Sequence, residues 1–147
     1  MQYIKAGIKR LHPDAKTPVY ATPGSACFDL FVTPELTEEV VLTQDTPLII
    51  GTGLAVEVPP GYVMEVFSRS GHGFKYDVLL ANGTGIIDSD YRGELVLKLA
   101  ADGAPFTVKP NERIAQGRIV PAPRTEFYEI EELSETERKG GLGHTGR

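Results

Sequence analysis

The chain has 147 residues, a mass of 16.0 kDa and a 41% hydrophobic share, enough for one domain around one core and too apolar for a disordered polyampholyte. Its formal charge of −5 argues against a broad nucleic-acid-binding face, which would be basic. No stretch approaches the roughly 18 apolar residues of a membrane helix, and Met1-Gln2-Tyr3-Ile4-Lys5 lacks the features of a signal peptide, so a cytoplasmic protein with no membrane partner is expected.

Short β-competent segments follow one another along the chain, at 3–8, 27–32, 40–42, 47–50, 54–58, 62–67, 78–81, 93–99, 106–108, 113–120 and 127–130. Val63-Met64-Glu65-Val66-Phe67 and Leu95-Val96-Leu97-Lys98-Leu99 are rich in strand formers, with a charge set inside each apolar run. Turn residues separate the segments, among 16 Gly and 11 Pro, at Gly51-Thr52-Gly53, Pro59-Pro60-Gly61 and Asp102-Gly103. This spacing predicts an all-β protein, a jelly-roll-like β-sandwich rather than a βαβ fold. Helix is limited to one turn near 72–75, because 129–138 is almost entirely polar after Leu133 and has no apolar stripe. The body is expected over 1–138. Residues 139–147, with four glycines in nine, form a tail whose ordering cost only a ligand could offset.

Cys27 is the sole cysteine, which excludes an intrachain disulfide, and His12, His72 and His144 lie too far apart in sequence for a zinc motif. Four segments carry other chemistry. Residues 82–95 read as two strand-forming flanks meeting at Asp88-Ser89-Asp90-Tyr91, a hairpin with a polar tip. Asp88 follows Ile86-Ile87, so its carboxylate is expected at an apolar edge, where desolvation makes it more basic; a solvent-facing turn is the alternative. Phe67-Ser68-Arg69-Ser70-Gly71-His72-Gly73 places a guanidinium, a hydroxyl and a glycine N–H at a strand end, either an anion site or a loop with an incidental arginine. Residues 111–120 read as a strand carrying Gln116 near a polar patch, and Asp29 is an acid within or at the edge of another strand.

Together these segments resemble the trimeric dUTPase family, whose five motifs occur in order over 24–146. The motifs correspond to Ala26-Cys27-Phe28-Asp29-Leu30, Arg69-Ser70-Gly71, residues 82–93, Glu112-Arg113-Ile114-Ala115-Gln116 and residues 140–146. The third, with Gly85-Ile86-Ile87-Asp88-Ser89-Asp90-Tyr91-Arg92-Gly93, is the most specific. The resemblance implies a homotrimer that hydrolyses dUTP to dUMP and pyrophosphate with Mg²⁺, keeping uracil out of DNA and supplying dUMP for thymidylate synthesis. It implies Asp88 as general base and a uracil cleft formed by Asn82, Ile86, Ile87 and Val96. Tyr91 would lie against the deoxyribose, and Arg69, Ser70, Gly71 and Gln116 would meet the phosphates. Asp29 would support the waters of the metal or an arginine of a neighbouring subunit. The tail would close as a lid, with Leu142 over the base and Arg138 or Arg147 at the phosphates. Cys27 stands where the family usually has glycine, and Leu142 where it usually has an aromatic ring. The spacing from Arg138 to Leu142 is also one residue shorter than the common pattern.

Two other readings compete. A dCTP deaminase of the same superfamily would be a longer chain using a glutamate for its chemistry, and would release ammonia from dCTP. A non-catalytic module of this fold would have lost Asp88 or Tyr91, and both are present.

Overall fold

Alternation of side chains along a strand sends every second residue inward, and Leu95, Leu97 and Leu99 are buried while Val96 and Lys98 face outward. The computed structural model describes residues 3–36, 38–137 and 140. In chain order its strands are β1 (Gly7–Arg10), β2 (Phe28–Phe31), β3 (Val40–Leu42), β4 (Leu48–Glu57) and β5 (Tyr62–Ser68). After the single helix described, α1 (Ser70–Tyr76), come β6 (Val78–Leu80), β7 (Thr84–Ile87), β8 (Glu94–Ala101), β9 (Phe106–Val108) and β10 (Arg113–Pro121). Every pairing is antiparallel, in sheets ordered β1-β4-β8-β6 and β2-β10-β5-β7 and a two-stranded β3-β9 unit. Leu30, Met64, Val66 and Ile114 from one large sheet meet Ile50, Val56, Leu95, Leu97 and Leu99 from the other in a common core, as in a jelly-roll-type sandwich. Among the described residues no helix is long and apolar enough to cross a membrane.

Several expectations are corrected in detail. The strand read as ending at residue 50 and restarting at 54 is continuous, because Gly51-Thr52-Gly53 forms a bulge rather than a turn. The buried Thr52 Oγ1 donates to the carbonyl of Leu95 at 3.0 Å and accepts from the Leu54 N–H at 3.3 Å. Gly53 has φ of 70°, and its N–H donates to the Glu94 carboxylate at 2.8 Å. The first strand begins at Gly7 rather than residue 3, where pairing with Glu57 becomes available. No strand forms at 127–130. Phe127 and Tyr128 have the right composition but are 91% and 82% exposed, and among the described residues no strand pairs with them. Helix α1 exceeds the single turn expected, and Asp77 ends it in the left-handed conformation at φ of 54°. The expected lid lies outside the described residues except for Gly140, as do Arg138, Leu142 and Arg147.

Cys27 precedes β2, where burial pushes its thiol pKa above the ordinary value, only partly offset by the Arg118 guanidinium. Gly117, on the neighbouring β10, is required by packing: a Cβ there would fall 2.9 Å from the Phe28 ring and 3.1 Å from the Met64 methyl.

Thr52→Val keeps the shape of the bulge and removes the hydroxyl that serves two buried backbone groups. It is expected to lower unfolding stability by about 1–3 kcal/mol, read from denaturant melts at fixed protein concentration. An unchanged midpoint would show that the bulge does not depend on this hydroxyl.

Candidate active site

Strands β7 and β8 are consecutive in sequence but belong to different sheets. β7 pairs with β5, through Val66↔Gly85 and Met64↔Ile87, while β8 pairs with β4, through Gly51↔Val96 and Ile50↔Leu97. The expected hairpin is therefore corrected: its two arms part, and a cleft of about 310 Å³ opens between them. Asn82, Gly85, Ile87, Val96 and Lys98 line it, with Leu80 and Leu97. Both strands turn backbone toward it. β7 is the last strand of its sheet, and β6 covers the facing edge of β8 only at Leu99–Ala101 among the described residues. The Lys98 carbonyl accepts from Ala81 N–H across that edge at 2.8 Å, so alternation turns the Val96 N–H and C=O the same way, into the cleft. Gly85 allows close strand approach, since an added Cβ would come within 3.1 Å of Val66 Cβ. Asn82 closes the turn before β7, its amide donating to the Thr84 carbonyl at 3.3 Å.

Asp88 and Tyr91 occupy the connection leaving the far end of β7. The Tyr91 N–H donates to the Asp88 carbonyl at 3.2 Å, closing a turn. The Tyr91 hydroxyl donates to the Glu94 carbonyl at 2.8 Å, and its ring covers Gly93, where a Cβ would fall 2.5 Å from the hydroxyl oxygen. Arg92 fastens the turn by donating to the carbonyls of Ser89 and Tyr91 at 2.8 and 2.9 Å. Asp88 is exposed, so the sheltered apolar edge expected from Ile86-Ile87 is not observed. Ile86 points to the face opposite the cleft. There it lines a broad groove with Asp88, Asp90, Tyr62 and Arg124, because alternation that sends Ile87 inward sends its neighbour out.

Arg69, Ser70, Gly71, Gln116 and Asp29 gather at the other end of β7. Thr84 pairs with Phe67, and Asp88 lies four residues further along, about 13 Å of strand away. The buried Asp29 accepts from Arg69 Nε at 2.9 Å and from Arg113 Nη1 at 3.2 Å. Arg69 Nη1 also donates to the Arg113 carbonyl at 2.9 Å, and the Gln116 amide donates to the Ser68 carbonyl at 2.9 Å. Ser70 and Gly71 open α1, where backbone N–H groups have no helical partner, and the space over Gly71 is clear. Arg113 and His72 belong to this group but were not singled out from the sequence. Arg113 sits inside the fourth motif, and His72 is three residues past Arg69, the spacing that stacks side chains once a helix forms. Among the described residues no three His, Cys, Asp or Glu side chains converge as ligands for a metal ion.

Comparison with known proteins supplies the family. The dUTPase family model matches residues 13–146. The chain is 43% identical over 146 residues to the deoxyuridine 5'-triphosphate nucleotidohydrolase of Nautilia profundicola, covering 98% of this chain and 100% of that one. It is 44% identical over 151 residues to the protein of the same name from Desulfitobacterium hafniense, covering 99% of each. The dUTPase of Staphylococcus bacteriophage 80alpha, solved with dUPNHPP, is similar at a TM-score of 0.85 and 28% identity, over 97% of this chain and 99% of that one. A mutant dUTPase from phage phi11 of S. aureus, described with a structural Mg(II) ion, is similar at a TM-score of 0.75 and 25% identity, over 88% and 99%. With the family matched over nearly its whole length and full-length relatives this similar, the chain belongs to the dUTPase family.

Proposed function

We propose that this protein hydrolyses dUTP to dUMP and pyrophosphate, with uracil held between β7 and β8 and Asp88 activating the attacking water. The observation that carries the reading is the cleft between two strands that leave backbone edges toward each other, with Asp88 and Tyr91 next along the chain. Uracil offers acceptor, donor and acceptor along its edge, which an open strand edge of alternating N–H and C=O groups can match. Cytosine reverses part of that order and would leave buried groups unpaired. The apolar walls at Ile87, Leu80 and Leu97 would leave little room for a thymine methyl.

With the sugar against Tyr91, the triphosphate runs past Asp88. Asp88 would accept a proton from water as its oxygen bonds to the α-phosphorus. The bond from that phosphorus to the bridging oxygen then breaks, and pyrophosphate leaves with the electron pair. Mg²⁺ fits the donor set as an ion carried by the triphosphate and its own waters, since no carboxylate cage is present among the described residues. When bound it would offset phosphate charge. Asp29 would hold Arg69 and Arg113 and reach a metal-bound water through its remaining lone pairs. Glycine-rich residues 139–147 would close over the phosphates as a lid of backbone donors, with Leu142 over the base and Arg138 or Arg147 at the leaving group.

A nucleotide placed this way sends its phosphates away from the Arg69 cluster of its own chain, at the opposite end of β7. Arg69, Ser70, Gly71 and Gln116 of another copy would then meet them, which supports an assembly of several copies, in keeping with the homotrimer that the family resemblance implies. Residues 122–137 support assembly as well, because they hold Phe127, Tyr128 and Leu133 at 91%, 82% and 85% exposure, uncovered by their own chain.

A panel of dNTPs with pyrophosphate detection tests the reading. dUTP alone should be turned over, with loss on EDTA treatment, and ammonia release from dCTP would point to the deaminase instead. Asp88→Asn should keep dUTP binding within about tenfold and cut turnover by about 10²–10⁴; near-normal turnover would remove Asp88 from the role of base. Tyr91→Ala should raise the UTP-to-dUTP ratio of kcat/KM by about tenfold or more, and an unchanged ratio would show that the ring is not the sugar gate. Light scattering of the active protein should give about three times the 16.0 kDa chain mass, against which a fully active monomer would count decisively.

A further inference from the structure

His72 is one of few buried polar side chains, at 7% exposure, and the proposed reaction leaves it unused. It lies on the first turn of α1, facing Arg69 on one side of its ring and Glu112 on the other. Its Nε2 is 3.2 Å from Glu112 Oε1, and its Nδ1 is 3.3 Å from Arg69 Nη1. A guanidinium only donates and a carboxylate only accepts. The two contacts together are satisfied by one arrangement: a neutral ring with its proton on Nε2, donating to Glu112 and accepting from Arg69 at Nδ1. Glu112 is itself fixed, its other oxygen accepting from the Lys109 N–H at 3.0 Å. Phe106 packs edge-on to the imidazole at a centroid distance of 5.4 Å, and Tyr76 lies against it at 6.3 Å, so the ring has little freedom to turn.

We propose that His72 is a positioning residue for Arg69, resting on the reading that Arg69 meets the triphosphate. Glu112 sets the tautomer, and the tautomer presents an acceptor that holds Nη1 of the guanidinium. Asp29 holds Nε from the other side, and the Arg113 carbonyl takes a further Nη1 proton direction. Three acceptors from separate parts of the fold thus fix the plane of Arg69, leaving Nη2 as the nitrogen for which no protein partner is described. An oriented guanidinium binds phosphate without first losing rotamer freedom, so the effect belongs to binding of the phosphates rather than to the chemical step.

His72→Leu removes both ring nitrogens and retains apolar bulk against Phe106 and Tyr76. It should raise KM for dUTP about tenfold, the scale of one hydrogen bond to a charged group. Turnover should stay within about threefold, and affinity for deoxyuridine, which has no phosphate to meet Arg69, should be unchanged. Long-range ¹H–¹⁵N spectra of the unsubstituted protein at neutral pH should show the Nε2–H tautomer for His72. That measurement decides the proposal even if the variant fails to fold. An Nδ1–H tautomer or an imidazolium, an unchanged KM, or an equal loss of deoxyuridine affinity would overturn it. Failure of the unsubstituted protein to turn over dUTP would instead refute the reading of the active site, leaving the tautomer result to stand separately.

Discussion

Two strands joined by a short connection would ordinarily pair, and the functional geometry here depends on β7 and β8 being prevented from doing so. β7 is claimed by β5 and β8 by β4, so the two diverge from the turn that joins them. That turn is held by Arg92 on two carbonyls and by the Tyr91 hydroxyl on Glu94, while the Glu94 carboxylate reaches back to Gly53 in the bulge of β4. The bulge, the turn and the opening of the cleft are thus parts of one hydrogen-bonded assembly. Backbone groups left over from strand pairing line the cleft, while Leu95, Leu97 and Leu99 still fill the interior.

An acidic protein that binds a triphosphate must direct its positive groups rather than rely on overall charge. At the Arg69 cluster both arginines pair with Asp29 and Glu112 lies just behind, on His72, so the four formal charges cancel. What the cluster offers is aimed N–H groups, with one face of Arg69 and the opening turn of α1 left toward solvent. Burial of Asp29 strengthens its hold on Arg69, which is itself largely covered, because water screens that contact poorly, whereas Arg113 is half exposed and its contact is screened more.

Much of the fold was legible because local pattern and tertiary role agree. Alternation in 95–99 marks β8, and 40–42 and 106–108 were bounded as they are observed. What escaped the sequence was pairing. Nothing in 82–95 distinguishes a closed hairpin from two strands that part, because the difference is decided by β5 and β4, remote in sequence. Gly51-Thr52-Gly53 reads equally as turn or bulge until the Leu95 carbonyl supplies a partner for Thr52. Residues 127–130 have the composition of a strand, and among the described residues no strand pairs with them. The candidate site residues were read through family motifs rather than through physics alone, and the motifs do not mark His72, whose proposed role depends on α1 bringing it against Arg69 and on Glu112 arriving from beyond β9.

The account turns on backbone edges of β7 and β8 reading the base. Amide ¹H–¹⁵N shifts followed during titration with deoxyuridine and, separately, thymidine test this most directly. The account predicts that the amides of Gly85, Ile87 and Val96 shift saturably with deoxyuridine and stay in place with thymidine. Amides of the cleft that remain still while deoxyuridine binds elsewhere, or that respond equally to thymidine, would contradict it.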